Sequence, residues 1–174
     1  LFELAQKGKK VGDSQLDPKY DALDKRILYV EQDNTSYLCQ GGNAAGLGRG
    51  NGWENHQATA VWFFDKASWR GRPRVMAELH IEYTDGRRDI VVTDTSWKST
   101  DSPVIFNSIY TAEHYDARKE LPGWDSSGYG DSTWENALAA VAPTQNIVSQ
   151  QMCPVRITDT LTPIKTVKVN ERLY

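Results

Sequence analysis

The sequence predicts an all-β protein, an antiparallel β-sandwich of the jelly-roll sort, and three observations predict it. Residues 74–83 alternate strictly, with Val75, Ala77, Leu79, Ile81 and Tyr83 on one face and Arg74, Met76, Glu78, His80 and Glu82 on the other. That is the period of a strand with one face in the core and one in water. Short apolar runs recur at roughly 8–12 residue intervals between Gly, Asp, Asn and Pro, the rhythm of a sandwich. Helical periodicity is scarce.

Taken in order, Phe2 and Leu4 before Lys7-Gly8, with Val11 after it, predict an opening hairpin. A strand follows at 27–30. Asn34 or Thr35 as N-cap and Gly41-Gly42 as a stop allow one helical turn over 35–39. The glycine cluster from Gly46 to Gly52 has the wrong spacing for either nucleotide loop, and no helix pattern follows it. It is expected to be a tight turn where the backbone approaches something closely. Strands are expected at 58–64, 90–93 (returning from the Thr84-Asp85-Gly86 turn), 104–106, 147–151 and 155–158. Residues 135–142 have helical propensity but stop at Pro143. The sandwich is therefore placed at residues 1–142. Residues 143–174, punctuated by Pro143, Pro154 and Pro163, are expected to be connector strands leading to a following domain.

The 174 residues suit one domain with a tail, and no internal repeat is visible. Twenty Lys and Arg against 23 Asp and Glu leave a net charge of −3, which argues against nucleic acid as a partner because phosphate binding needs clustered cations. No stretch approaches the roughly 20 apolar residues of a membrane helix, so no membrane partner is expected. The chain opens on Leu1 without a basic and apolar leader and stops at Tyr174 without a closing element, as expected of a piece cut from something longer. Cys39 and Cys153 fit no zinc spacing; free buried thiols and a single disulfide both remain open.

Catalytic motifs are missing. There is no G-x-S-x-G and no H-E-x-x-H, and 23 acids without geometry nominate no glycosidase pair. His80 falls on the wet face of its strand, whereas His56 and His114 sit near Asn55, Glu113 and Asp116, where a ligand could be touched. Loop Asp and Asn leave calcium open. What stands out is tryptophan beside glycine. In Asn51-Gly52-Trp53 and Pro122-Gly123-Trp124 an indole can project from a turn and stack on the C–H face of a sugar. Asn51, Trp53 and Trp124 are accordingly candidate carbohydrate-binding residues. Glu113, Tyr115, Asp116 and Arg118, packed into six residues, join them as partners for hydroxyls. Trp62, Trp97 and Trp134 are expected in the core.

An ordered set of short motifs then resembles a known family. It runs from Val11-Gly12-Asp13, Leu16-Asp17-Pro18 and Lys25-Arg26-Ile27-Leu28-Tyr29 through Gly50-Asn51-Gly52-Trp53 and Tyr83-Thr84-Asp85-Gly86 to Ser96-Trp97-Lys98. It is sharpest at Ile109-Tyr110, Tyr115-Asp116-Ala117-Arg118, Pro122-Gly123-Trp124 and Ser132-Thr133-Trp134. The set resembles the N-terminal domain of bacterial α-L-rhamnosidases, glycoside hydrolase family seventy-eight. The resemblance implies a galactose-binding-like, jelly-roll accessory domain that is not itself catalytic. The implied parent hydrolyses terminal α-L-rhamnose with inversion in a separate helical barrel. The implied partners are rhamnose-containing glycans and the other domains of the parent, with calcium assistance, in a bacterial periplasm or outside the cell. A purely structural domain supporting the barrel is the alternative. The chain departs from the family pattern at Gln6-Lys7, across Ala45 to Arg49, at Glu54 and at Gly130.

Overall fold

In a computed structural model, which describes residues 2–56 and 62–168, the chain is strand and loop with three single 3₁₀ turns among the described residues. In chain order the strands are β1 (Phe2–Gln6), β2 (Lys9–Lys10), β3 (Ser14–Gln15), β4 (Ile27–Tyr29), β5 (Gly46–Arg49), β6 (Glu78–Glu82) and β7 (Arg88–Val92). They continue with β8 (Lys98–Ser99), β9 (Val104–Ser108), β10 (Ala112–Tyr115), β11 (Glu135–Asn136), β12 (Ile147–Ser149) and β13 (Val155–Arg156). Together they make an all-β sandwich body built from short ladders.

The opening hairpin turns where the sequence places it. Lys7 (φ 53°) and Gly8 (φ 74°) both take left-handed backbone, the bend that matches the twist of two antiparallel strands. Asp125, only 3% exposed, holds the turn from beneath. Its Oδ2 accepts from Gly8 N at 2.6 Å and its carbonyl from Lys7 N at 3.1 Å. The other edge of β1 pairs antiparallel with β5, from Phe2↔Arg49 to Ala5↔Gly46. The glycine cluster thus begins as a strand where a turn was expected, but the close approach is real. A Cβ on Gly46 would lie 2.1 Å from Cζ3 of Trp124, whose ring occupies that space.

From Glu78 onward the β6–β7 hairpin follows the alternation, with Glu78, His80 and Glu82 exposed and Leu79 and Ile81 half-buried, whereas residues 74–77, expected in the same strand, lie outside it and Val75 is exposed rather than in the core. Gly86 (φ 83°) closes its turn. β9 and β10 form a second hairpin. Two pairings depart from local expectation. β12 runs parallel to β4, with Ile147 opposite Ile27, so the ladders are not uniformly antiparallel. β11 pairs with β8, which takes the start of the segment with helical propensity into a strand. Ladder hydrogen bonds from Ser99 and Lys98 outweigh a weak preference over so short a run. Of the strand expected at 58–64, residues 58–61 lie outside the described residues. Its end is not a strand: Trp62 and Phe63 are left-handed and Phe64–Lys66 is a 3₁₀ turn.

The fully buried apolar residues among those described are Val11 and Leu28, joined by the polar Gln6, Asp17, His56 and Asp125. Asp17 Oδ1 accepts from Gln150 Nε2 at 3.3 Å and lies 3.6 Å from Lys19 Nζ. Gln150 Oε1 in turn accepts from Lys19 N at 2.7 Å, fastening the segment after β12 to the start of the chain. The expected core tryptophans diverge. Trp97 and Trp134 are half-buried, Trp97 donating to Val92 O at 3.2 Å, whereas Trp62, on left-handed backbone, is 70% exposed and lies edge-on to Phe64 and Tyr110 at the surface. Cys39 and Cys153 are free thiols, and both are exposed rather than buried.

Candidate functional site

The turn after β5 presents Trp53, and three asparagines hold it. Asn51 N donates to Asn107 Oδ1 at 3.1 Å, tying the turn to β9, and Asn55 Nδ2 donates to Asn51 Oδ1 at 2.8 Å. Glu54 locks the far side: its carboxylate pairs with Arg74 at 2.9 Å and its carbonyl accepts from Gly71 N at 3.0 Å. So held, the half-buried Trp53 ring meets Tyr20 at 6.0 Å, Phe64 at 5.6 Å and Tyr110 at 5.9 Å between centroids. The last two are edge-on contacts, a favourable arrangement for aromatic quadrupoles. Trp69 extends the cluster through Tyr20 and Phe64, and Tyr20, Trp69 and Tyr110 all remain exposed. His56, 1% exposed, lies edge-on to Phe64 and Tyr110, and neither ring nitrogen has a hydrogen-bond partner among the described residues.

The other candidate residues fall into two further places. Glu113 stands opposite Asn107 on the β9–β10 ladder, so it shares a strand pair with the residue that anchors Asn51. Tyr115, Asp116 and Arg118 make a self-contained corner at the end of β10. The Tyr115 hydroxyl donates to the Glu120 carboxylate, which raises the Tyr115 pKa. Asp116 caps the 3₁₀ turn Ala117–Lys119 by accepting from Arg118 N at 3.1 Å. The Arg118 guanidinium closes on the same carboxylate at 2.8 and 2.7 Å and, as the largest cause, holds Asp116 below the usual Asp value. Trp124 lies over Gly46 on β5. The structure therefore gathers Asn51 and Trp53, places Glu113 on the adjoining ladder, and keeps the Tyr115–Arg118 corner and Trp124 separate from the ring cluster.

Sequence reasoning missed Tyr20, Asn55, Phe64, Trp69 and Asn107. Apart from Asn55, which lies 4 residues from Asn51, their only sequence mark is residue type, because the separations that join them, 56 residues from Asn51 to Asn107, are invisible to local pattern. His114 sits exposed beside Phe106 across the ladder, and His80 is exposed beside Glu78 at 3.0 Å. Among the described residues no group of three or more His, Cys, Asp or Glu side chains could hold a metal, so they form no carboxylate-rich cradle for the calcium that the resemblance implies. Among those residues, too, no helix is long and apolar enough to cross a membrane.

Fold and surface together define a class: an all-β sandwich domain whose loops gather an aromatic cluster over an asparagine-braced turn. Residues 1–159 match the family described as "Alpha-L-rhamnosidase N-terminal domain", and the chain belongs to that family. An α-L-rhamnosidase of Formosa agariphila is 37% identical over 159 residues, 89% of this chain and 16% of that protein. One from Streptomyces avermitilis is 34% identical, covering 90% of this chain and 15% of that protein. Among solved structures, the α-L-rhamnosidase of Dictyoglumus thermophilum superposes with a TM-score of 0.79 at 35% identity, over 95% of this chain and 18% of that one. The Streptomyces avermitilis α-L-rhamnosidase complexed with L-rhamnose gives a TM-score of 0.83 at 31% identity, over 91% and 15%. The chain thus spans less than a fifth of the length of these relatives.

Proposed function

We propose that this chain is a non-catalytic, carbohydrate-facing domain of an α-L-rhamnosidase, recognising terminal α-L-rhamnose while bond cleavage takes place in other domains of the parent. The observation that carries the reading is the Trp53 cluster. Indole and phenol rings offer apolar faces to sugar C–H groups, and the amide atoms that the bracing bonds leave over, Asn51 Nδ2, Asn107 Nδ2 and Asn55 Oδ1, offer two donors and an acceptor for hydroxyls. The relative solved with L-rhamnose supports rhamnose as the sugar. Glu113 extends the surface along the β9–β10 ladder. Tyr115, Asp116, Arg118 and Trp124 lie at its margin, since their strongest groups already bond one another or Glu120, or pack on β5. Residues 143–174 serve as the connector to the next domain, with β12 and β13 fastening it along the body.

Titrating L-rhamnose and rhamnosides into the chain, with and without calcium, tests the reading. Heat of binding and a change in tryptophan emission that Trp53→Ala abolishes are expected. Silence in both at millimolar sugar overturns it.

A second reading, a structural domain that supports the catalytic barrel, is favoured by a different observation. Ile90, Val91 and Val92 on one strand, and Ile157, Leu161 and Ile164 near the end, are all exposed. Isolated domains seldom leave so much aliphatic surface uncovered. This reading expects no sugar binding, and loss of stability in the whole enzyme when the domain is deleted.

A further inference from the structure

We propose that the turn of the opening hairpin carries a second saccharide site, selective for a sugar unit bearing an oxyanion, a uronate carboxylate or a sulfate ester. A half-open cavity of about 330 Å³ lies against this turn, lined by Gln6, Lys7, Lys9, Ser36 and Tyr37. Its size falls at the lower end of the roughly 300–1,000 Å³ of small-molecule clefts.

Three features of the lining point to such a ligand. Gln6 is 2% exposed, yet its Oε1 has no hydrogen-bond partner among the described residues. Buried acceptors are nearly always paired, and this one is closed off behind the cavity wall, so turning the Gln6 amide over would present its oxygen to a donor in the cavity, such as a sugar hydroxyl. Lys7 and Lys9 carry no ion pair among the described residues, whereas their neighbour Lys10 is held by Glu3 at 2.9 Å. Lys7 sits at φ 53°, a left-handed turn position that Asn or Gly would occupy with less strain. The Tyr37 hydroxyl donates to Lys10 O at 3.3 Å, which fixes that residue as one wall. Two ammonium groups supply charge-assisted hydrogen bonds to an oxyanion. The Ser36 hydroxyl and the Gln6 amide serve ring hydroxyls, and the Tyr37 ring serves a C–H face. A partner of this chemistry would lie on a different turn from the Trp53 cluster. That the oxyanion is carried on a sugar rests on the function proposed above.

The test is an NMR titration of the full chain with D-glucuronate, a glucose sulfate ester, D-glucose, L-rhamnose and sodium sulfate. The amides of Gly8, Lys9, Ser36 and Tyr37 are expected to shift with at least one anionic sugar, at about tenfold higher affinity than with glucose, and less as salt is added. Whichever of the two anionic sugars responds identifies the source of the oxyanion. Lys7→Asn with Lys9→Gln should lower that affinity about tenfold while the fold is kept, because Asn tolerates the left-handed turn. Equal response to glucose and glucuronate, no shift at Ser36 and Tyr37, or an unchanged double variant each overturns the site. Sodium sulfate binding as tightly as the sugars overturns its saccharide character. An L-rhamnose response confined to the Trp53 loop is independent of all these outcomes, so either proposal can fail alone.

Discussion

Replacing Gly46 by alanine puts the strand β5 and the Trp124 ring in direct conflict. The added Cβ would lie 2.1 Å from Cζ3, 2.5 Å from Cη2 and 2.8 Å from Cε3 of that ring. Carbon atoms rest about 3.5–4.0 Å apart, so the ring must withdraw by about 1.5 Å or the strand must bend away from β1. The atom in the way belongs to a stiff indole rather than the end of a flexible chain. Overpacking of this sort costs about 1–3 kcal/mol. For a domain of this length each kcal/mol lowers Tm by about 2–4 °C, so a loss near 2 kcal/mol appears as about 4–8 °C. Calorimetry and urea titration measure it, and tryptophan emission reports the ring's movement. Gly130→Ala is the control: nothing lies within 4 Å of its would-be Cβ, and a change within about 0.5 kcal/mol is expected. In the Trp124→Ala background Gly46→Ala should be neutral or stabilise by up to about 1 kcal/mol, since the obstacle is gone and alanine narrows the unfolded ensemble. An unchanged Tm for Gly46→Ala alone, or the same penalty in both backgrounds, would refute this account.

Asp125→Ala strips the buried acceptor from Gly8 N and should cost about 1–3 kcal/mol in urea titration, more than any exposed Asp→Ala change in the chain. Gln150→Ala removes the bonds to Lys19 N and Asp17, and a similar loss, about 1–3 kcal/mol, is expected by thermal melting. Trp53→Ala should weaken sugar affinity by about 1–3 kcal/mol in calorimetric titration while the β6–β7 hairpin amides keep their chemical shifts. Arg118 depresses the Asp116 pKa. The stability this lends is fully present above the ordinary Asp value of 3.8 and is lost as pH falls through the lowered one. Asp116→Asn should therefore flatten the acid limb of the stability profile, read by melting between neutral and strongly acid pH.

Elements closed by neighbours in sequence were legible. Period-two alternation and Thr84-Asp85-Gly86 located β6 and β7, and Lys7-Gly8 located the first turn, because those contacts span only a few residues. The parallel partner of β4 and the pairing of β11 with β8 were not legible. Nothing near Ile27 or Glu135 encodes a ladder mate so far along the chain. The same limit governs the site. Asn51 and Trp53 could be nominated by type and by the glycine between them. Tyr20, Phe64, Asn107 and Trp69 reach them only through folding, and the burial of His56 follows from Phe64 and Tyr110 closing over it. Trp62 was misplaced because an apolar residue in an apolar run reads as buried, whereas its run ends in a left-handed turn and its ring lies at the surface against Phe64 and Tyr110.

The late strands β12 and β13 complete ladders begun by β4 and β3 near the other end of the sequence. During synthesis the N-terminal segments leave the ribosome with unpaired N–H and C=O groups, and their mates emerge only after nearly the whole body has been translated. Such non-local closure is slow, and bare strand edges invite association with other chains in the meantime. Any recombinant boundary placed before Arg156 would make that transient exposure permanent, so yield and aggregation should depend more on where the fragment ends than on its aromatic surface.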